Sequence, residues 1–95
     1  MILLNLAEIH SEQERYEDAR TCLDRSLAIF QDLDSPYWQG RVHSSLGNLF
    51  AKTGQPAAAA GAWEHALRLL QPLGAPEANA VAALLREHRT APAPG

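Results

Sequence analysis

An internal repeat with a spacing of forty residues constrains this chain more than any other feature. Small residues of one copy are matched by small residues forty positions away in the other copy, and large apolar residues are matched by large apolar residues. The matched pairs include Leu6 and Leu46, Ala7 and Gly47, Ala19 and Ala59, Leu23 and Trp63, Ser26 and Ala66, and Phe30 and Leu70. Self-similarity of this kind is typical of a stacked repeat, in which each unit buries its apolar face against the next unit.

Each copy of the repeat predicts two helices joined by a short turn. In the second copy, apolar residues recur three or four positions apart in two runs, at residues 46–50 and 59–66. Gly54 and Pro56 separate these runs and predict a helix end followed by a helix start. Gly47 lies inside the first run, where a glycine costs about 1 kcal/mol relative to alanine. We therefore expect another helix to pass too close to Gly47 to leave room for a side chain.

The pattern as a whole predicts an all-α fold with two helix-turn-helix repeats and a capping helix. Repeat 1 would span residues 1–33, with a first helix that lacks its first turn, and repeat 2 would span residues 34–74. Ser35 and Pro36 predict the start of the second repeat, with the serine as side-chain cap. Trp38 is expected to pack between the repeats, whereas its neighbour Tyr37 is expected to be exposed.

A fifth helix over residues 75–89 would cover the last repeat. Its polar side would face water, as in the terminal units of other repeat proteins. Residues 90–95 are rich in alanine and proline and are predicted to be disordered. The apolar stripe predicted for this capping helix consists of Ala80, Val81, Leu84 and Leu85.

Length, charge and cysteine usage exclude several classes of protein. Ninety-five residues form one small domain, and a net charge of −3 provides no basic surface for direct binding of nucleic acid. A single cysteine excludes an internal disulfide and a cysteine-based zinc cage. The apolar runs are too short to span a membrane, and the sequence shows no charged start followed by a long apolar core, the pattern of a signal peptide. We therefore expect a soluble cytoplasmic protein.

The repeat resembles the tetratricopeptide repeat. The pattern of that family contains a Leu-Gly pair, an aromatic residue three positions later, and then an alanine and a further aromatic residue. The second copy fills these positions with Leu46, Gly47, Phe50, Ala59 and Trp63. The first copy matches less well, and both copies are longer than the usual length of about 34 residues.

Longer units of this kind are similar to the C-terminal arrays of large bacterial signalling ATPases and transcription regulators. They are also similar to the Leu-Gly-Asn repeat scaffolds of animals. Arginine far outnumbers lysine in this chain, with Lys52 the sole lysine, and this bias favours the bacterial group. The resemblance implies an α-α superhelix that acts as a protein interaction scaffold within a larger regulator.

The resemblance also implies where a protein or peptide partner would bind, because the first helix of each tetratricopeptide unit lines the concave surface. Asn48 is the strongest candidate, since a side-chain amide can bind a peptide backbone, and Arg41 and Lys52 would attract an acidic segment. The alternative is that these are merely solvated positions. The implied concave residues are Glu8 and Ser11 in the first copy, and Arg41, Ser44, Asn48 and Lys52 in the second copy.

Self-association is a second hypothesis for the function. Two repeats fall short of the three or so that such arrays usually need for stability. No preceding repeat covers the apolar start of the chain, so a homodimer could form there. The predicted dimer face consists of Ile2, Leu3 and Leu4.

No arrangement of residues indicates catalysis, a cofactor or a metal. The four histidines do not pair at helical spacing, so no single helix offers a two-histidine metal site. Cys22 lies on a buried stripe, where a thiol is usually inert. The glycines form no phosphate-binding loop. We therefore predict that the chain is not an enzyme and needs no cofactor.

Overall fold

The structure, a computed structural model, describes residues 15–90, with the side chains of residues 15–88. This range contains no strand. The predictions for residues 1–14, including the dimer face and the concave residues Glu8 and Ser11, lie outside the described residues. The α-helices are α1 (Tyr16–Asp32), α2 (Pro36–Lys52), α3 (Pro56–Leu70) and α4 (Glu77–Thr90), with a 3-10 turn (Gln71–Leu73) after α3. These helices confirm the all-α prediction.

Two details at the ends of the helices differ from the predictions. The last helix extends through Thr90, which was assigned to a disordered tail. Ser35 lies at the cap position of α2, but its side chain makes no capping hydrogen bond. The fixed backbone angle of Pro36 at the first helical position starts this helix without the serine hydroxyl.

Left-handed backbone ends the helices at the predicted glycines and at one further residue. Gly54 and Gly74 have φ angles of 74° and 64°. The residue forty positions before Gly74 is Asp34, which has a φ angle of 52°. Aspartate adopts this conformation more readily than most residues, because its short polar side chain can hydrogen-bond locally.

Helices α2 and α3 lie close together because two glycines of α2 face α3. A Cβ atom on Gly47 would lie 2.3 Å from Cδ1 of Trp63, and one on Gly40 would lie 2.7 Å from Cγ of Leu70. Both separations are far shorter than any normal carbon–carbon contact. The structure thus confirms the close approach predicted at Gly47, and the group that fills the space is the indole of Trp63.

Two apolar clusters form the core, and each consecutive pair of helices packs together. Phe50 packs against both clusters. The α1–α2 cluster contains Ala19, Cys22, Leu23, Phe30, Val42, Leu46 and Leu49. The α3–α4 cluster contains Ala59, Trp63, Ala66, Leu70, Ala78, Val81 and Leu85. Within the range that the structure describes, no helix has both the length and the apolar character needed to cross a membrane.

The apolar stripe of α4 differs from the prediction at one position. Ala80 is exposed, and Ala78 is buried instead. The buried stripe follows the spacing Ala78, Val81 and Leu85, and Ala80 lies about 100° around the helix from Val81. Leu84 lies at the margin of this stripe and is half-buried.

Candidate functional site

A groove of about 160 Å³ lies between α2 and α4 and contains three of the predicted concave residues, Arg41, Ser44 and Asn48. Lys52, the last residue of α2, does not line it. The groove is lined by Arg41, Ser44, Ser45 and Asn48 of α2, Leu70 of α3, and Glu77, Ala80 and Val81 of α4.

Aromatic side chains hold Arg41 at one end of the groove. The guanidinium carbon of Arg41 lies 5.3 Å from the centroid of the Trp38 ring, which is within the range of a cation–π interaction. Trp38 in turn stacks on Phe30 of α1, with 5.5 Å between the ring centroids. The prediction that Trp38 packs between the repeats is therefore confirmed, and this packing also limits the freedom of Arg41.

A hydrogen bond between Tyr37 and Glu77 joins the starts of α2 and α4. The Tyr37 hydroxyl donates to Oε2 of Glu77. Tyr37 is half-buried, whereas the sequence predicted that it would be exposed. This hydrogen bond is the main reason why the pKa of Glu77 is lowered and the pKa of Tyr37 is raised. The positive charge of Arg41 also lowers the pKa of Glu77. Glu77 is therefore a carboxylate at neutral pH.

Asn48, at the other end of the groove, is exposed and accepts a hydrogen bond from a buried tryptophan. Nε1 of Trp63 lies 3.3 Å from Oδ1 of Asn48. The ring of His88 meets the Trp63 ring edge-on, with 5.6 Å between the centroids. An indole nitrogen can only donate, so the amide oxygen of Asn48 faces Trp63 and the NH₂ group remains able to donate elsewhere.

The side chains of the groove can bind hydrogen-bonding and charged groups. Its side chains offer donors at Arg41 and Asn48, hydroxyls at Ser44 and Ser45, and one carboxylate at Glu77. Among the described residues, no group of three or more His, Cys, Asp or Glu side chains could hold a metal ion. These groups are suited to binding a polar ligand through hydrogen bonds.

One pair of functional groups could not be predicted from spacing along a helix. His43 of α2 and His65 of α3 stack with 3.9 Å between their ring centroids and 12° between their planes. Burial, with a smaller contribution from the neighbouring His65, lowers the pKa of His43 to about 4. Helical spacing in a sequence reveals only pairs of histidines within one helix, whereas this pair joins two helices. Neither histidine lines the groove.

Comparison with known proteins identifies the family. Residues 1–72 match the sequence pattern of the tetratricopeptide repeat. The chain belongs to the tetratricopeptide repeat family. It is also similar to regulatory protein AfsR of Streptomyces griseus, with 31% identity over 85 residues. The similarity covers 90% of this chain and 9% of AfsR, so the chain spans about a tenth of the length of that relative. No solved structure matches the chain.

The family match and the relative confirm the resemblance stated from the sequence. The second copy carries the family positions at Gly47, Phe50, Ala59 and Trp63, and the match extends back to residue 1. The relative is a bacterial regulatory protein, the group that the arginine bias favoured. Tetratricopeptide repeats are typically modules for protein interaction, and the groove is therefore a candidate binding surface for a protein partner.

Proposed function

We propose that this tetratricopeptide domain is a scaffold that binds an extended segment of a protein partner in the groove between α2 and α4. One observation carries the proposal: Arg41, Ser44 and Asn48 lie on successive turns of α2 and line a single groove with residues of α4. The groove is open to solvent and offers both hydrogen-bond donors and acceptors, as an extended backbone requires.

The similarity to AfsR supports a proposal about the cellular setting. The similar stretch makes up a small part of a bacterial regulatory protein. We therefore propose that the chain serves as a repeat segment of a larger bacterial regulator in the cytoplasm. In this role it binds protein and has neither an enzymatic function nor direct contact with nucleic acid.

Selection of displayed random peptides on the immobilised domain, followed by titration calorimetry, tests the groove. Substituting Arg41→Ala and Asn48→Ala together should weaken the binding of the selected peptides at least about tenfold, since each substitution removes a side chain that would hydrogen-bond to the peptide. The matched control combines Arg25→Ala with Asn79→Ala, two exposed residues outside the groove. Failure to select any peptide, or equal losses in both double variants, would contradict the proposal.

The homodimer hypothesis remains the alternative, because its residues Ile2, Leu3 and Leu4 lie outside the described range. Light scattering on a size-exclusion column, over a range of protein concentrations, distinguishes the two functions. The scaffold proposal expects a monomer whose groove is available to peptide. A stable dimer that loses its affinity for the selected peptides as it forms would favour self-association instead.

A further inference from the structure

The stacked rings of His43 and His65 bring two imidazole groups together from two helices, outside the groove. Their ring centroids are 3.9 Å apart, and the ring planes differ by 12°. His43 is half-buried, whereas His65 is exposed to solvent. Imidazole nitrogens are common protein ligands of copper, nickel and zinc ions. The pair therefore presents two nitrogen ligands at one place on the surface.

Close packing holds the helices that carry the two rings at a fixed distance. Gly40 and Gly47 lie before and after His43 along α2. Leu70 of α3 fills the space beside the first glycine, and Trp63 fills the space beside the second. Because these contacts lie on both sides of His43, the backbone cannot easily move the rings apart. Two ligands that are already close together lose little freedom when one ion binds both of them.

The distance between the rings suits a single metal ion once one ring tilts. Zinc–nitrogen bonds are about 2.0–2.1 Å long, so two nitrogens at bond angles of about 90–110° lie roughly 3 Å apart. The stack, with 3.9 Å between centroids, is close to this separation. The lone pairs of parallel rings run side by side, so one ring must tilt before both point at one ion. His65 is exposed and can tilt, because rotation about its Cβ–Cγ bond is soft.

The protonation state of His43 also favours a metal ion. Burial, with a smaller contribution from the neighbouring His65, lowers the pKa of His43 to about 4. Its ring is therefore neutral at pH 7 and keeps one unprotonated nitrogen, which is the form of histidine that binds metals. A metal ion does not have to displace a proton from this ring at neutral pH.

We propose that His43 and His65 together bind one divalent transition-metal ion, Cu²⁺ most tightly and Ni²⁺ and Zn²⁺ more weakly. This order follows the general preference of nitrogen ligands for Cu²⁺. Mg²⁺ does not fit the site, because it requires oxygen ligands. Within residues 15–88, no third His, Cys, Asp or Glu side chain completes the site, so water occupies the remaining positions of the ion. The bound ion joins α2 to α3, and the inference is independent of the proposed function.

Titration calorimetry of the untagged domain with NiCl₂ at pH 7 tests the site, and MgCl₂ is the control salt. The wild type should bind one Ni²⁺ per domain and no Mg²⁺. His65→Gln removes one ligand at an exposed position, so Ni²⁺ should bind at least about tenfold more weakly, because the second bond to the ion is lost. His88→Gln removes a histidine of α4 outside the pair and should bind Ni²⁺ within about twofold of wild type.

Melting temperatures measured with and without NiCl₂ extend this test to the folded state. Ni²⁺ should raise the melting temperature of the wild type and leave that of His65→Gln nearly unchanged, because the ion binds the folded pair. No binding of Ni²⁺ by the wild type, or equal affinity of the wild type and His65→Gln, would overturn the inference. The pair would then be a stacking contact only, and the proposal for the groove would still stand.

Broadening of NMR signals by substoichiometric Cu²⁺ locates the ion. The ring protons of His43 and His65 should broaden together, and before those of His88, because both rings of the pair contact the paramagnetic ion. Broadening of His65 without His43, or of His88 first, would overturn the inference, since the ion would then be held by a single histidine.

Discussion

Ser26 is a buried residue whose hydroxyl has no hydrogen-bond partner among the described residues, although its side chain is 0% exposed. The equivalent residue in the second copy is Ala66, which is also fully buried. An unpaired buried hydroxyl costs about 1–3 kcal/mol. We expect Ser26→Ala to raise the free energy of unfolding by about 1 kcal/mol, measured by urea denaturation.

The reverse change provides the control for Ser26. Ala66→Ser places a hydroxyl in the equivalent buried position and should lower the free energy of unfolding by a similar amount, about 1 kcal/mol. A lower free energy of unfolding in Ser26→Ala would show instead that the hydroxyl makes a stabilising interaction.

At the level of helices, Gly47 and Trp63 set the distance between α2 and α3. A Cβ atom on Gly47 would overlap the indole, so Gly47→Ala should lower the free energy of unfolding by about 2 kcal/mol. The first copy of the repeat has alanine and leucine at these two positions, Ala7 and Leu23. We therefore expect Trp63→Leu to relieve much of the cost of Gly47→Ala.

A double-mutant cycle measured by chemical denaturation tests this pairing. The double variant should be more stable than the sum of the single variants predicts, by about 1 kcal/mol or more. Strictly additive losses would mean that the glycine is needed for a reason other than the size of the indole.

The contact between His43 and His65 makes the α2–α3 pair sensitive to acid. The pKa of His43 is about 4 in the folded protein, below its ordinary value of 6.5. The unfolded chain therefore binds a proton first, and the stability that the neutral ring provides above pH 6.5 is lost as the pH falls towards 4. Because the ring is only half-buried, we expect a loss of about 1 kcal/mol and not the full linkage value.

Melting temperatures at pH 7 and pH 5 measure this effect. His43→Leu carries the residue of the first copy at the equivalent position, Leu3, and should show a smaller drop in melting temperature between the two pH values than the wild type shows. Equal drops in the two proteins would assign the acid sensitivity to other groups.

At the scale of the whole molecule, the sequence predicts more of the fold than of the candidate site. Local residue chemistry predicts the turns at Gly54 and Gly74 and the helix starts at Pro36 and Pro56. The repeat supports these predictions, because the same pattern occurs in both copies. The capping helix departs from the pattern of the two repeats, so its buried face had to be predicted from its own residues alone. That prediction was wrong at Ala80, which is exposed. The left-handed turn at Asp34 was missed because aspartate is a weaker signal than glycine.

Three residues of the candidate groove were predicted because the family resemblance implies which helix of each repeat faces a partner. That implication led to Arg41, Ser44 and Asn48, which the structure brings into one groove. The contacts of Trp63 with Asn48 and of Tyr37 with Glu77 could not be predicted, since each joins helices whose crossing cannot be read from spacing within one helix.

Filling the groove tests most directly whether a protein segment binds there. Ala80→Trp places a large ring on an exposed position that lines the groove, and Asn79→Trp places the same ring on the adjacent exposed position outside it. Titration calorimetry with a selected peptide should show at least about a tenfold loss of affinity for Ala80→Trp and no loss for Asn79→Trp, with both variants helical by circular dichroism. Undiminished binding by Ala80→Trp would contradict the assignment of this groove as the partner site.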